Sequence, residues 1–105
     1  MTATNTTIGY IVFHYPTQGR TSDLTHRVET AVAALRSTSG CITADSWVTP
    51  DDDAVVATGR WQSEEALEAS FATCREQGVD FHFDERERQP RRTFKLRPTT
   101  HSDCP

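Results

Sequence analysis

The chain has 105 residues, of which 35% are hydrophobic and 25% charged, and its formal net charge is −4 at pH 7. This length predicts one domain that buries roughly two thirds of the surface of its unfolded chain, so a deep pocket is costly for a monomer. The excess of acidic residues argues against non-specific binding to nucleic acid. No apolar run approaches the roughly 18 residues that cross a bilayer, and "MTATNTT" does not resemble a signal peptide, so we expect a cytoplasmic protein that binds no membrane.

Two stretches near the start of the chain predict a strand and a helix. "IGYIVFHY" (residues 8–15) is aromatic and β-branched and is followed by a turn with proline and glycine, which is typical of a strand. From Leu24 onwards the apolar residues are spaced as on one face of a helix that ends before Gly40. The N-cap of this helix is expected at Thr21, Ser22 or Asp23.

The middle of the chain predicts a hairpin and a second helix. "CITADSWV" (41–48) and "VVATGRW" (55–61) have the composition of strands, and "TPDDDA" between them suits a tight exposed turn. Ser63 is placed to cap a helix whose first turn carries two glutamates, which complement the helix dipole. Gly78 marks the end of that helix.

A fourth strand is predicted at "TFKL" (93–96), after a loop of charged residues. The order βαββαβ predicts a ferredoxin-like fold of the α+β class, with two helices on one face of a four-stranded antiparallel sheet. We expect residues 8–98 to form this domain, with flexible segments at 1–7 and 99–105. The uncovered face of the sheet predicts a homodimer, because it would carry the apolar side chains of Ile11, Phe13, Phe94 and Leu96.

Charged residues and cysteines give little sign of a further site. Six of the eleven cationic residues lie in one C-terminal stretch: Arg86, Arg88, Arg91, Arg92, Lys95 and Arg97. Three acids there offset half of that charge, which favours a solvated loop and strand face. The three cysteines, Cys41, Cys74 and Cys104, lack CxxC spacing and are predicted to be free thiols. No metal site is predicted, because His101, Asp103 and Cys104 lie at a terminus without a rigid frame.

The segment "RWQSEEALEASF" is similar to the antibiotic biosynthesis monooxygenase family, which includes cofactor-independent anthrone oxygenases and haem-degrading monooxygenases. "FHYPTQGRTSDL" after the first strand and the strands with "GCI" and "AVVATG" add to the resemblance, which runs from about Ile8 to Pro98. It implies a dimeric α+β barrel and a pocket between the helices and the sheet. It also implies that Trp61, at the end of the third strand, lines that pocket.

Alternation along the strands adds candidates for the pocket. Tyr10, Val12 and His14 share one face of the first strand, as Ala57 and Trp61 share one face of the third. By analogy with the family, both sets face the pocket. His14 is the candidate base, because an imidazole titrates near neutral pH, and Tyr10 is the candidate donor to a substrate anion. On the residues alone, a partly solvated histidine bonded to the backbone is the simpler reading of His14.

The chain departs from the family at two positions. Anthrone oxygenase relatives carry an asparagine four residues before the tryptophan, where this chain has Ala57. Haem-degrading relatives carry an iron-ligating histidine ten residues after it, where this chain has Phe71. Haem degradation is therefore not expected, and the donor to the substrate carbonyl is missing.

The remaining candidates each have two readings. Trp47 is expected either to stack on a flat ligand or to pack in a core. His82 is expected either to lie in a loop that closes over the pocket or to be exposed to solvent. Asp45 orients a base or faces water, and His26 falls on the polar side of its helix. The predicted catalytic residues are thus His14, Trp61 and Tyr10, and the predicted substrate contacts are Val12, Trp47, Ala57, Phe71 and His82.

These residues favour a monooxygenase that uses no flavin, metal or other cofactor and acts on an aromatic polyketide or quinol-like substrate in secondary metabolism. One alternative keeps the pocket and the base but uses no oxygen: a polyketide cyclase, isomerase or dehydratase. The other is a dimer that binds a hydrophobic small molecule without catalysis.

Overall fold

The computed structural model describes residues 6–99, and its elements follow the predicted order. They are β1 (Ile8–Pro16), α1 (Thr21–Arg36), β2 (Cys41–Val48), β3 (Val55–Trp61), α2 (Glu64–Glu76) and β4 (Glu87–Leu96). No helix within this part of the chain is long and apolar enough to cross a membrane. Residues 1–5 and 100–105 of the expected flexible segments lie outside the described residues, as do His101, Asp103 and Cys104.

The four strands form one antiparallel sheet in the order β2-β3-β1-β4. Both helices pack on the same face, so the ferredoxin-like fold predicted from the sequence is confirmed. We call this side the helix face; it carries alternate residues such as Tyr10, Val12 and His14 of β1. We call the other side the open face; it carries Ile11 and Phe13 of the same strand.

The core between the helices and the sheet consists of two clusters of buried side chains. The first joins three α1 residues to β2 and β3: Leu24, Val28, Val32, Ala44 and Val55. The second joins the end of α1 to β3 and α2: Leu35, Trp61, Leu67 and Cys74. The buried α1 residues have the helical spacing seen in the sequence, which is why this helix was predictable.

The start of α1 differs from the expectation. Its N-cap is Arg20, which has no capping side-chain hydrogen bond, whereas Thr21, Ser22 and Asp23 already lie in the first helical turn. The carboxylate of Asp23 instead accepts a hydrogen bond from Arg20 Nε at 2.8 Å. The N-cap of α2 was predicted correctly, since Ser63 Oγ accepts the backbone N–H of Ala66 at 3.1 Å.

Strand β4 begins at Glu87 rather than at Thr93, so the prediction of a loop up to residue 92 is wrong. β4 pairs with β1 through register shifts beside Tyr15, which lets an irregular, charged segment continue the strand. Pro90 is tolerated because β4 lies at the edge of the sheet, where one row of backbone N–H groups needs no partner strand.

Gly59 leaves room for the ring of Trp61 on the helix face. A Cβ atom added at Gly59 would lie 2.5 Å from Cζ3 of Trp61, closer than van der Waals contact allows. Trp61 is only 1% exposed and cannot move into solvent without losing its core contacts. Gly59 is therefore a steric requirement of this core.

We expect Gly59→Ala to lower the free energy of unfolding by about 1–3 kcal/mol, the usual cost of overpacking a core. Gly9→Ala on the neighbouring strand is the matched control, because its added Cβ would meet Leu96 at an ordinary 3.4 Å. Chemical denaturation of both variants measures the difference. Equal stability of the two would contradict the steric role of Gly59.

Candidate functional site

A cavity with a volume of about 110 Å³ lies between the helices and the helix face of the sheet. The strands contribute Tyr10, Val12, His14, Ala57, Thr58, Trp61, Arg91 and Thr93, and α1 contributes Arg27, Val28, Ala31, Val32 and Leu35. Ala44, Phe71, Asp80 and Phe81 complete the lining. The structure thus brings six of the predicted site residues to one cavity: Tyr10, Val12, His14, Ala57, Trp61 and Phe71.

One end of the cavity is aromatic. Phe71 of α2 lies 5.5 Å from the ring centroid of Tyr10, 6.3 Å from that of Trp61 and 5.1 Å from that of Phe81. Tyr10 and Trp61 meet edge to face at 6.3 Å. This end offers a flat, apolar ligand several ring faces to pack against.

The indole N–H of Trp61 is already used within the protein. It donates to Ser70 Oγ at 2.9 Å, and Ser70 is in turn bonded to Thr38 Oγ1 at 2.6 Å. The buried Ser70 hydroxyl satisfies the indole, and its bond to Thr38 helps to fix the ring between α2 and the end of α1. Trp61 therefore presents ring surface to the cavity and has no N–H left to donate to a ligand.

The other end of the cavity is built on the buried carboxylate of Glu87, whose side chain has no exposed surface. Its Oε1 lies 3.2 Å from His14 Nδ1 and accepts from Arg91 Nε at 2.8 Å. Its Oε2 accepts from Arg91 Nη2 at 2.8 Å and from Arg27 Nη1 at 3.3 Å. One carboxylate thus joins β1, α1 and β4.

The surroundings of Glu87 keep it ionised. Burial by itself raises the pKa of this carboxyl, but the hydrogen bonds and charge of Arg91, together with His14, outweigh burial and hold the pKa below its ordinary value. An ionised carboxylate only accepts hydrogen bonds, so Nδ1 of His14 must carry the proton. The Nε2 atom of a neutral His14 is then left with a lone pair.

His14 remains neutral near pH 7 for a related reason. Burial and then the charge of Arg91 lower the pKa of His14 below its ordinary 6.5, while Glu87 opposes them and Arg27 adds to the lowering. At the same cavity, burial raises the pKa of the Tyr10 phenol against the opposing charges of Lys95 and Arg91. His14 is therefore in the form of a base, and Tyr10 in the form of a hydrogen-bond donor.

The structure places other predicted residues away from the cavity. Trp47 lies on the open face, where it is 59% exposed and its N–H donates to Thr58 Oγ1 at 2.9 Å. The side chain of His82 is 90% exposed; its backbone N–H donates to Asp80 Oδ1 at 2.8 Å, and its backbone carbonyl accepts from Arg27 Nη2. Asp45 and His26 are also exposed. Neither Trp47 nor His82 reaches the cavity, because sheet alternation and loop direction point them elsewhere.

Sequence reasoning missed Glu87, Arg91 and Arg27. Arg27 comes three residues after Leu24 and four before Ala31, so helical spacing placed it beside the apolar stripe that faces the sheet. Glu87 and Arg91 gave no usable signal, because their segment was predicted to be a loop. Within residues 6–99, no three His, Cys, Asp or Glu side chains are grouped so that they could hold a metal ion.

The family model described as antibiotic biosynthesis monooxygenase matches residues 7–75. Curated proteins give no significant match to the chain. Among solved structures, PA3566 from Pseudomonas aeruginosa is similar with a TM-score of 0.79 and 17% identity, covering 94% of this chain and 100% of its own. Rv0793 from Mycobacterium tuberculosis has a TM-score of 0.73 and 20% identity, covering 93% and 100%.

A third similar structure is a mutant of SnoaB, a cofactor-independent oxygenase from Streptomyces nogalater. Its TM-score is 0.66 at 10% identity, and the match covers 92% of this chain and 97% of SnoaB. At these identities the three structures show a shared fold.

We expect the titration midpoint of His14, followed by NMR of its ring protons, to lie below 6.5. Glu87→Gln should lower the midpoint further, because it removes the negative charge that favours the imidazolium form. Arg91→Met should raise it, because it removes an opposing positive charge. Asp45→Asn, on the open face two strands away, is the control that should leave the midpoint unchanged. A midpoint above 6.5, or one insensitive to both Glu87 and Arg91, would contradict this electrostatic arrangement.

Proposed function

The chain belongs to the antibiotic biosynthesis monooxygenase family, and we propose that it oxygenates an aromatic polyketide or quinol-like substrate of secondary metabolism without flavin or metal. The observation that carries the proposal is the position of the His14 imidazole at the cavity wall, with Nδ1 at 3.2 Å from the buried carboxylate of Glu87. This arrangement supports a role of Nε2 as a general base.

The reaction needs a substrate that can itself reduce dioxygen. A phenol or an anthrone-type carbon acid becomes able to do so when it loses a proton. For an anthrone, one oxygen atom of O₂ becomes a carbonyl oxygen on the substrate carbon, and the other leaves as water with the two hydrogens of that carbon. The substrate supplies all the electrons, so no external reductant is required.

The residues of the cavity have separate tasks in this proposal. His14 Nε2 removes the proton, and the phenol of Tyr10 donates a hydrogen bond to the oxygen of the resulting anion. The rings of Trp61, Phe71 and Phe81 hold the flat substrate and keep water from the reactive anion. Ala57 stands where anthrone oxygenase relatives have an asparagine, so Tyr10 replaces that amide as the donor.

Oxygen-independent chemistry is the second candidate function. The observation that favours it is Ala57 at the cavity wall, because a cyclase, isomerase or dehydratase needs the base and the donor but not that asparagine. A dimer that only binds a hydrophobic small molecule is the third. It would use the aromatic end of the cavity and make no use of the base.

We further propose that a second copy of the chain covers the open face. The exposed fractions of Trp47, Phe94 and Leu96 are 59%, 38% and 44%, and Phe13 packs edge to face on Phe94 at 6.3 Å. Such a group of apolar side chains on a flat sheet favours burial against an equally flat, apolar surface. The same face of a second chain is such a surface and gives a two-fold symmetric pair.

Oxygen uptake by metal-stripped protein, given anthrones and naphthols, tests the catalytic proposal. We expect His14→Gln to reduce the rate about 100-fold or more, because a general base usually accelerates a reaction by at least that factor. His26→Gln, which changes an exposed histidine of α1, is the control and should retain the wild-type rate. Substrate loss under nitrogen would favour the cyclase class, and binding without turnover in both conditions would favour the carrier.

Sedimentation equilibrium tests the proposed dimer. The wild-type protein should sediment as a dimer, and Phe94→Lys should shift it toward monomer, because a lysine ammonium resists burial in an apolar interface. Phe83→Lys is the matched control, since Phe83 is 52% exposed in the loop before β4 and not on the open face. A monomeric wild-type protein would refute the dimer.

A further inference from the structure

The charged end of the cavity contains more charged groups than proton abstraction alone requires. A base and one hydrogen-bond donor suffice for that step, yet two arginines also line the cavity, with side chains only 9% and 22% exposed for Arg27 and Arg91. A guanidinium does not lose its charge when it is desolvated, so both remain cationic. Their partner Glu87 lies behind them and is not part of the lining. A ligand at this end of the cavity therefore meets two guanidinium groups beside His14 and Asp80.

The two arginines are not equally available to a ligand. Arg27 donates from Nε to the carbonyl of Asp80, from Nη1 to Glu87 and from Nη2 to the carbonyl of His82, so the protein uses all three of its nitrogens. Arg91 directs Nε and Nη2 at Glu87, which leaves Nη1 free of that carboxylate. Arg91 is the guanidinium that can also bind a ligand oxygen.

The nearby acids cancel only part of the positive charge of these arginines, because one buried carboxylate, Glu87, is shared by two guanidinium groups. Glu87 has no exposed side-chain surface, and a ligand cannot reach it. Asp80 does line the cavity, but its side chain is 53% exposed and is paired with Arg27 at 3.6 Å and with Arg86 at 3.4 Å. Solvent and two cations therefore screen the charge of Asp80. The charge that faces the buried part of the cavity is that of Arg91.

We propose that the substrate is an aromatic carboxylic acid, bound as its anion, with the carboxylate on Arg91 and the ring system against Trp61 and Phe71. His14 Nδ1 and Arg91 Nε lie within 3.2 Å and 2.8 Å of the same Glu87 oxygen, so the base and the cation are adjacent. We therefore infer that the carboxylate of the substrate lies near its reacting proton, an arrangement that an ortho-hydroxy aromatic acid has. This inference rests on the proposed function for the identity of the reacting group, but its binding test does not require turnover.

The test is calorimetric binding, under nitrogen, of 1-hydroxy-2-naphthoate and its uncharged amide, which have nearly the same shape. Wild-type protein should bind the acid about tenfold or more tightly than the amide, as expected for a hydrogen bond to a charged group. Arg91→Met should remove that preference by weakening acid binding far more than amide binding, because the aromatic end that both probes share remains intact. Arg91→Lys should retain part of it.

Arg92→Met is the matched control, because it removes the same charge from the next residue of β4. Arg92 lies on the open face, with its guanidinium over the ring of Phe94 at 5.3 Å, and its loss should leave the preference intact. If Arg91→Met does not fold, the wild-type protein alone tests the inference. Its preference for the acid over the amide must be present and must weaken at high salt.

Three results would overturn the inference: equal affinity for acid and amide, a preference that survives Arg91→Met, or no binding of either probe. Failure of the proposed function is distinguishable from these. Selective binding of the acid through Arg91, without oxygen uptake from any substrate, would leave this inference in place and remove the monooxygenase proposal.

Discussion

The polar end of the cavity depends on one buried carboxylate. Glu87 has no exposed side-chain surface and can remain ionised there only because Arg91, Arg27 and His14 surround it. Those three partners belong to β4, α1 and β1, so the charge that needs them also ties these elements together. Removing the carboxylate would leave two partly buried cations without their shared partner, which costs more than the loss of a surface ion pair.

The same carboxylate gives the site its chemical character. Because Glu87 accepts the Nδ1 proton, the tautomer and the orientation of His14 are fixed before any ligand binds. Burial lowers the pKa of the imidazole, and the arginines that keep Glu87 ionised lower it further, so the ring is a weak base that stays unprotonated at neutral pH. An ion-pair cluster that appears structural thus prepares a base and presents a cation beside it.

The aromatic end of the cavity rests on steric fit. Trp61 fills the space over Gly59, its N–H is taken by Ser70, and its ring is left as a wall. Trp61 lies where β3 meets α2 and has two roles. Trp61 is both a core residue, at 1% exposure, and a surface that lines the cavity.

Much of the fold was predictable, because period-two and helical spacing identify strands and helices whose apolar faces are buried. Alternation also placed Tyr10, Val12 and His14 on one face of β1, and the family resemblance indicated that this face meets the cavity. The start of β4 was not predictable, since a charged edge segment that pairs through register shifts has the composition of a loop.

The failure to predict the first half of β4 explains why Glu87 and Arg91 were missed. A count of charges cannot distinguish a buried acid such as Glu87 from the solvated acids beside it in the chain. Trp47 shows a second limit of sequence reasoning. The composition of its strand predicts a hairpin, but the pairing of Trp47 with Val56 decides that the indole lies on the open face.

The tautomer of His14 tests the central claim most directly. Long-range ¹H–¹⁵N correlation spectra of the ¹⁵N-labelled wild-type protein at pH 7 distinguish a protonated ring nitrogen from one with a lone pair. The proposed hydrogen bond to an ionised Glu87 predicts a proton on Nδ1 and a lone pair on Nε2. A proton on Nε2 with none on Nδ1, or a fully protonated ring, would contradict the role of Glu87 and of His14 as a base.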